Sequence, residues 1–170
     1  QSHYSYVLDA DGSPLDDILL YRMEEQKYLM VVNASNKEKI EQWLHAVNNG
    51  QVLIDRDNPN RGLESSVKIV DRAVENDWVN VALQGPAGIK ILLKLIGNKE
   101  DAKKLRCLKK TFFVELDLGG IKALIARTGY TGEDGYEMMV PKPKLKQVWD
   151  VLFRVGAKHG LLPVGFGARD

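Results

Sequence analysis

The alternation of apolar and polar residues predicts a chain of short strands interrupted by three amphipathic helices. Polar turns separate the first β-prone runs. A period of two places Asp17 and Tyr21 on one face of the second run, and Val31 and Asn33 on one face of the third. The predicted strands cover residues 3–8, 17–22, 27–33, 51–55, 67–71, 79–84, 111–118, 121–127 and 136–140.

The three helices are predicted from apolar residues spaced three and four positions apart. Ser35 and Glu38 form a capping-box pattern at the start of the first helix. The second opens at residues 85–86, with proline in its first turn, and the third runs from Pro143 to a stop at Gly160. The apolar stripes, tryptophans included, are expected in the core: Ile40, Trp43, Leu44 and Val47; Ile89, Leu92, Leu93 and Ile96; Leu145, Val148, Trp149, Leu152 and Phe153.

The order of these elements indicates the fold class. Strands outnumber helices, and several strands follow one another through short turns, of which Gly119 and Gly120 form the clearest hairpin signal. The sequence therefore predicts an α+β fold with largely antiparallel sheets and packed helices. Two β-rich halves that each close with a helix suggest an internal duplication of a ferredoxin-like unit. No linker divides the chain, so residues 1–170 are predicted to form a single domain.

Composition and charge narrow the range of partners. The chain has 170 residues, and this length is enough to bury a core. Hydrophobic residues make up 44% of it and charged residues 28%, as is ordinary for a globular protein. Its 24 basic and 23 acidic residues give a net charge of +1, which offers no support for a nucleic-acid surface. Cys107 is the only cysteine, and the three histidines show no metal-ligand spacing, so we expect no disulfide, no metal site and a reducing compartment. The apolar runs are too short for a membrane span.

Residues 127–137, which read RTGYTGEDGYE, are the most unusual stretch. Glycines at 129, 132 and 135 leave the backbone free to adopt positive φ and to approach a ligand closely. The spacing matches neither a dinucleotide-binding fingerprint nor a phosphate-binding loop. Glycine and aspartate are also common turn residues, so residue types alone favour a tight connection between two strands.

This stretch resembles the signature of the aminomethyltransferase of the glycine cleavage system, the T-protein family. GSPLDDILLYR (12–22), YLMVVNASNKEK (28–39), ALQGP (82–86) and GFGARD (165–170) are similar to other family segments and follow the family order. The resemblance covers nearly the whole chain and is weak at 57–77 and 98–110. It implies the folate-binding domain of the aminomethyltransferase type, with an N-terminal segment and a C-terminal barrel lying outside this chain.

The resemblance also implies an activity. Members of the family transfer a one-carbon unit from an aminomethyl group on a lipoyl carrier protein, the H-protein, to tetrahydrofolate, with release of ammonia. The implied cofactor is tetrahydrofolate, and the implied partner is the H-protein. The implied location is the bacterial cytoplasm or the mitochondrial matrix, with the cytoplasm favoured.

The resemblance assigns roles to particular residues. The catalytic acid of the family falls on Asp17, where a carboxylate could stabilise positive charge that develops at the one-carbon centre. Strand alternation sends Asp16 and Asp17 to opposite faces, so only one of them is expected to point inward. Glu137 matches the glutamate that accepts the two adjacent N–H groups of the pterin in a fork-like pair. The other implied folate-binding residues are Tyr4, Tyr21, Val31, Asn33, Tyr130 and Arg169. For Tyr4 and Tyr21, packing in the core is an equal alternative.

Three other classes of protein stay open at this point. A folate-dependent demethylase, or the folate-binding part of a sarcosine or dimethylglycine oxidising enzyme, would share the fold but would match the signature more loosely. A non-catalytic folate-binding scaffold of the iron–sulfur assembly type would depart strongly from the signature and lack the Asp-Asp strand. A ferredoxin-like RNA-binding module would need exposed aromatic residues on a basic sheet, and the sequence has no such run.

Overall fold

A computed structural model describes residues 1–75 and 77–168. Within them the chain forms two compact units, Gln1–Val70 and Asp71–Asp170, each built on its own antiparallel sheet. Mixed α+β architecture with antiparallel sheets is therefore confirmed. The internal duplication and the single domain stay predictions.

The first unit consists of a three-stranded sheet and one long helix. Its strands are β1 (Ser2–Leu8), β2 (Pro14–Glu24) and β3 (Lys27–Val31), paired in the order β1-β2-β3. Helix α1 (Lys37–Asn48) packs on one face of this sheet. Burial of that face gives the unit a small apolar core, formed by Val7, Ile18 and Ile40 with Leu15, Leu20, Met30, Val32, Trp43 and Leu44 around them.

The second unit contains a four-stranded sheet with the order β4-β7-β6-β5, formed by β4 (Trp78–Gln84), β5 (Phe113–Asp117), β6 (Lys122–Ala126) and β7 (Gly135–Pro141). Strand β7 therefore lies inside the sheet, between β4 and β6. A tight turn joins β5 to β6, and Gly119 and Gly120 adopt φ of 64° and 92° there, as the sequence predicts. The helices of this unit are α2 (Arg72–Glu75), α3 (Gly88–Leu95), α4 (Lys99–Arg106) and α5 (Leu145–Gly156), and the last three contribute to the apolar core on the sheet.

The side chains of β7 alternate between two buried environments. Tyr136, Met138 and Val140 join the apolar core shared with α3 and α5. Glu137 and Met139 lie on the opposite face of the strand and are also buried. Strand β7 therefore carries a carboxylate that is almost completely shielded from solvent.

Two predicted strands are wrong. Residues 51–55 and 67–71 have no strand pairing and run as irregular chain. The Asn48 side chain accepts from the backbone N–H of Val67 at 2.7 Å and donates to its carbonyl at 3.0 Å. Around Asp55, the carboxylate accepts from the amides of the residues two and three positions later. Side chains thus satisfy backbone groups that a neighbouring strand would otherwise pair.

The predicted capping box of α1 is also wrong. A 3₁₀ turn at Ala34–Asn36 leads into the helix, and neither Ser35 nor Glu38 caps it. Asn36 occupies the N-cap position without a side-chain cap bond, and its side-chain NH₂ donates to Asp16.

The sequence prediction lacks two of the described helices, the short α2 and the longer α4, and it places one tryptophan wrongly. Helix α4 was not predicted, although the Asn98 side chain accepts from the backbone N–H of Asp101 at 2.8 Å in an ordinary N-cap. Trp149 was expected in the core, yet it is 44% exposed and contacts Phe153 at the edge of the α5 stripe. An apolar stripe that is several residues wide has positions at its edge, and Trp149 occupies an edge position of the α5 stripe that is partly open to solvent.

Candidate functional site

The residues implied to bind folate fall on both units. Tyr4, Asp17, Tyr21, Val31 and Asn33 belong to the first unit. Tyr130 and Glu137 belong to the second, and Arg169 lies outside the described residues. Each unit has its own cluster of carboxylate and amide groups.

The cluster of the first unit, here called the acid pair, consists of Asp16, Asp17 and the side-chain amide of Asn33. Pairing of β2 with β3 matches Leu19 to Val31, which brings Asn33, two residues further on, level with Asp17. The Asn33 Nδ2 donates to Asp16 Oδ1 at 2.9 Å and to Asp17 Oδ1 at 2.9 Å. One amide thus bridges two carboxylates.

Within the acid pair, Asp16 is the buried member at 5% exposure. Its Oδ2 accepts from the backbone N–H of Asn33 at 3.0 Å, and its Oδ1 also accepts from the Asn36 side chain at 2.6 Å. Burial by itself would raise the pKa of Asp16, but the hydrogen bonds from the Asn33 and Asn36 side chains and the Asn33 amide lower the pKa below its ordinary value. Asp16 is therefore a charged anchor for the chain that links β3 to α1.

Strand alternation separates the two acids, since Asp16 lies on the face of β2 that carries the core residue Ile18 and is buried, whereas Asp17 lies on the opposite face and is half-buried. Both faces of β2 are buried, because Ile18 lies in the unit's core while Leu19 and Tyr21 on the other face are also buried. The pairing of β1 with β2 also shifts register next to Asp16. Sequence reasoning missed the role of Asp16, because its partners Asn33 and Asn36 lie 17 and 20 residues away along the chain.

Asp17 is half-buried, and a phenol also holds it. The Tyr4 hydroxyl donates to Asp17 Oδ2 at 3.1 Å, and the pairing of β1 with β2 places the two residues two positions apart. The Tyr4 ring is 54% exposed and packs edge-on against Tyr6, with ring centroids 5.5 Å apart. Its hydroxyl has a raised pKa, first because of its bond with Tyr6, then because of burial and Asp17. Tyr4 therefore stays protonated and keeps donating to Asp17.

The other two predicted residues of the first unit differ in exposure. Tyr21 is completely buried, which favours the packing role that the sequence left open. Val31 is half-buried at the end of β3. Contact of either with a ligand stays a prediction.

The cluster of the second unit, here called the Glu137 cluster, consists of Glu137, Thr128 and Asn80. Glu137 is 7% exposed on the central strand β7. The Thr128 hydroxyl donates to its Oε2, and Asn80 Nδ2 donates to its Oε1 at 3.0 Å. Each carboxylate oxygen thus has a neutral donor, which fixes the plane of the carboxylate.

The glycine-rich loop before β7 is closed by an ion pair. Arg127 donates from Nε to Asp134 Oδ1 at 3.1 Å and from its terminal nitrogen to Oδ2 at 2.7 Å. The guanidinium holds the pKa of the Asp134 carboxyl below its usual range. Tyr130, between these two residues, is 43% exposed.

Positive φ does not explain all three glycines of the loop. Gly132 adopts φ of 76°, but Gly129 and Gly135 do not have positive φ. At these two positions the space for a Cβ is already filled by the side chain of Gln84. Close packing, and not a left-handed backbone, therefore requires glycine there.

No group of three or more His, Cys, Asp or Glu residues in the described part of the chain could hold a metal ion. None of the helices described is long and apolar enough to cross a membrane.

Comparisons with known proteins place the sequence and fold of this chain in one class. An aminomethyltransferase from Bacillus cereus is 36% identical over 99% of this chain and 40% of its own length. An aminomethyltransferase from Exiguobacterium sibiricum is 35% identical over 100% of this chain and 40% of its own length. The crystal structure of glycine cleavage system aminomethyltransferase T from Bartonella henselae matches with a TM-score of 0.68 at 28% identity, over 100% of this chain and 39% of that chain.

These matches define an α+β domain of the kind found in aminomethyltransferases. Residues 1–170 match the family described as GCVT N-terminal domain, and the chain belongs to that family. It spans about 40% of the length of the curated relatives that it matches.

Proposed function

We propose that this chain is the folate-binding portion of an aminomethyltransferase of the glycine cleavage system. The protein that carries it moves a one-carbon unit from an aminomethyl group on a lipoyl carrier protein to tetrahydrofolate, with release of ammonia. The observation that carries this proposal is the buried carboxylate of Glu137, the last residue of the stretch RTGYTGEDGYE, which two neutral donors hold in place.

The chemistry of Glu137 suits a pterin. A carboxylate offers about four acceptor positions, and Thr128 and Asn80 occupy one on each oxygen. The remaining positions can accept the 2-amino and N3 hydrogens of a pterin as a parallel pair. Because neighbouring side chains fix the carboxylate plane before binding, little side-chain entropy is lost when the ligand arrives.

Asp17 is the residue of the first unit that we assign to catalysis. Its carboxylate accepts from Tyr4 and Asn33, two neutral donors that leave its negative charge uncancelled. Such a charge stabilises the positive charge that develops at the one-carbon centre as ammonia leaves. Tetrahydrofolate supplies the nucleophilic nitrogens that accept the carbon. The other implied residues stay predicted folate contacts: Tyr4, Tyr21, Val31, Asn33, Tyr130 and Arg169.

The test is a calorimetric titration of the protein carrying this chain with tetrahydrofolate, followed by turnover with an aminomethyl-loaded lipoyl carrier. We expect binding and ammonia release. Asp17→Asn should lower turnover by about 10²–10³ while folate binding changes little. Asp57→Asn, a change of an exposed loop acid in the same unit, is the matched control and should have no effect.

Three outcomes contradict the proposal. Absence of tetrahydrofolate binding excludes a folate enzyme. Binding with transfer from an N-methylated amine, but not from the lipoyl carrier, would place the protein with the demethylase-type relatives. Equal loss of turnover in Asp17→Asn and Asp57→Asn would remove the catalytic assignment of Asp17.

A further inference from the structure

The side chain of Gln84, at the end of β4, lies inside the glycine-rich loop. Its Nε2 donates to the carbonyl of Thr128 at 3.2 Å and to the carbonyl of Tyr136 at 3.3 Å. Its Oε1 accepts from the Thr131 hydroxyl at 3.2 Å. The amide therefore uses both of its N–H groups and its oxygen on this one segment.

The two carbonyls that Gln84 holds flank the Glu137 cluster. Thr128 is the residue whose hydroxyl donates to Glu137, and Tyr136 directly precedes Glu137 on β7. The β4–β7 register pairs Gln84 with Gly135 and so keeps the backbone of Gln84 at this position. The Gln84 side chain thus links the backbone just before Glu137 to the backbone of Thr128, whose hydroxyl donates to Glu137.

The loop has no space for a side chain where Gln84 enters it. A Cβ on Gly129 would lie 2.6 Å from Cδ and from Nε2 of Gln84, and the nearest atoms all belong to that side chain. A Cβ on Gly135 would lie 2.5 Å from Cδ and 2.9 Å from the backbone Cα of Gln84. Both distances are well inside van der Waals contact. The two glycines therefore accommodate this amide.

We propose that Gln84 is a positioning residue for Glu137. It fixes the Thr128 and Tyr136 backbones relative to each other, and through them the direction of the Glu137 carboxylate. The proposal rests on the proposed function for its ligand, a pterin. Gln84 itself has no contact with Glu137 among the described hydrogen bonds and acts through the loop.

The first experiment tests the packing by a double-mutant cycle on stability. Gly129→Ala should lower the urea midpoint in the unmodified protein and should lower it much less in a Gln84→Ala background, where the methyl group finds the space vacated. Gly135→Ala is the matched control, because the backbone Cα of Gln84 stays in its way in either background. An equal penalty for Gly129→Ala with and without the Gln84 side chain overturns the packing.

The second experiment tests positioning by tetrahydrofolate titration. Gln84→Met keeps the shape of the side chain but removes its hydrogen bonds, and Gln84→Glu removes the two donors. Each should weaken tetrahydrofolate binding by about tenfold, which is about 1.4 kcal/mol. In a Glu137→Gln background, where the fork-like pair is already lost, the same changes should have little further effect. An equal loss of tetrahydrofolate affinity in the unmodified and the Glu137→Gln proteins, or no loss from either Gln84 variant, would show that Gln84 is merely structural.

Failure of the proposed function can be separated from failure of this inference. If the unmodified protein does not bind tetrahydrofolate, the proposed function is wrong. The Gln84→Met and Glu137→Gln cycle is then measured by urea unfolding instead. Coupling between the two changes would still support positioning of Glu137 by Gln84, and strict additivity would overturn it.

Discussion

The acid pair of the first unit and the Glu137 cluster of the second use similar parts in different ways. In each, an asparagine amide holds a carboxylate that is almost completely buried, Asp16 at 5% exposure and Glu137 at 7%. In the first unit a second, half-buried acid shares the same amide. In the second unit one acid has a donor on each oxygen.

The two clusters differ in how many acceptor positions their buried carboxylates leave open, and we relate this difference to anchoring of the chain in the first cluster and to ligand binding in the second. The carboxylate of Asp16 accepts three hydrogen bonds from the chain itself, from the backbone N–H and the side chain of Asn33 and from the side chain of Asn36. Its neighbour Asp17 is left with more exposure and fewer partners. Glu137, by contrast, keeps acceptor positions that its two donors do not fill. Burial alone therefore does not distinguish the anchoring Asp16 from Glu137, which we propose binds the pterin, whereas the number of acceptor positions that remain open does.

The largest effect on tetrahydrofolate affinity is expected from Glu137→Gln. Replacing the carboxylate by an amide removes one acceptor and the charge, so tetrahydrofolate affinity should fall by about 1.5–3 kcal/mol. Isothermal calorimetry on the protein carrying this chain measures it. Glu133→Gln changes an exposed acid of the same loop and serves as the control. Similar affinities for both variants would show that Glu137 is an anchor like Asp16.

The second prediction concerns Asp16→Asn. The change places an NH₂ group, or an oxygen with weaker acceptance, against buried donors of Asn33 and Asn36, and should cost about 1–3 kcal/mol of unfolding free energy. Asp17→Asn should cost less than half as much, because Asp17 is more exposed. Urea unfolding of both variants at constant m-value compares them. A greater stability loss in Asp17→Asn would reverse the assignment of anchor and functional acid.

Local patterns predicted well the elements whose signal is local. The hairpin at Gly119 and Gly120 is correct because two adjacent glycines fit the positive φ that such a turn requires. The predicted strands at 51–55 and 67–71 failed because short apolar runs pair only when a partner strand is available, and Asn48 satisfies Val67 instead.

The candidate site was less predictable because its contacts join residues far apart in sequence. The resemblance pointed to Asp17 and Glu137, but the bonds of Asp16 to Asn33 and Asn36 span 17 and 20 residues. Gln84 and Thr128 are 44 residues apart. The glycines of the loop were explained by backbone freedom, whereas two of the three accommodate a side chain that no local pattern connects with them.

A smaller effect is expected where the loop beside the Glu137 cluster is closed by Arg127 and Asp134. Asp134→Asn removes a two-point ion pair that is partly exposed, so the loss of stability should be about 0.5–1 kcal/mol and should shrink in high salt. Asp150→Asn, which breaks the more exposed pair with Lys146 on α5, is the control and should cost less. A salt-independent loss in Asp134→Asn would show that the carboxylate contributes more through shape than through charge.

The last prediction uses acid to compare the anchor with the rest of the chain. The pKa of Asp16 is lowered in the folded protein, so Asp16 contributes stability above its unfolded pKa of about 3.9, and that contribution is lost as the pH falls through the lower folded value. The unfolding free energy of the unmodified protein should therefore drop between about pH 5 and pH 3 more steeply than that of Asp16→Asn. Asp55, Asp101 and Asp134 also have lowered pKa values and supply the slope that both proteins share. Urea unfolding at several pH values measures the difference between the two curves. Parallel curves would mean that Asp16 is not held as a charged anchor, and the distinction between the two clusters would then rest on geometry alone.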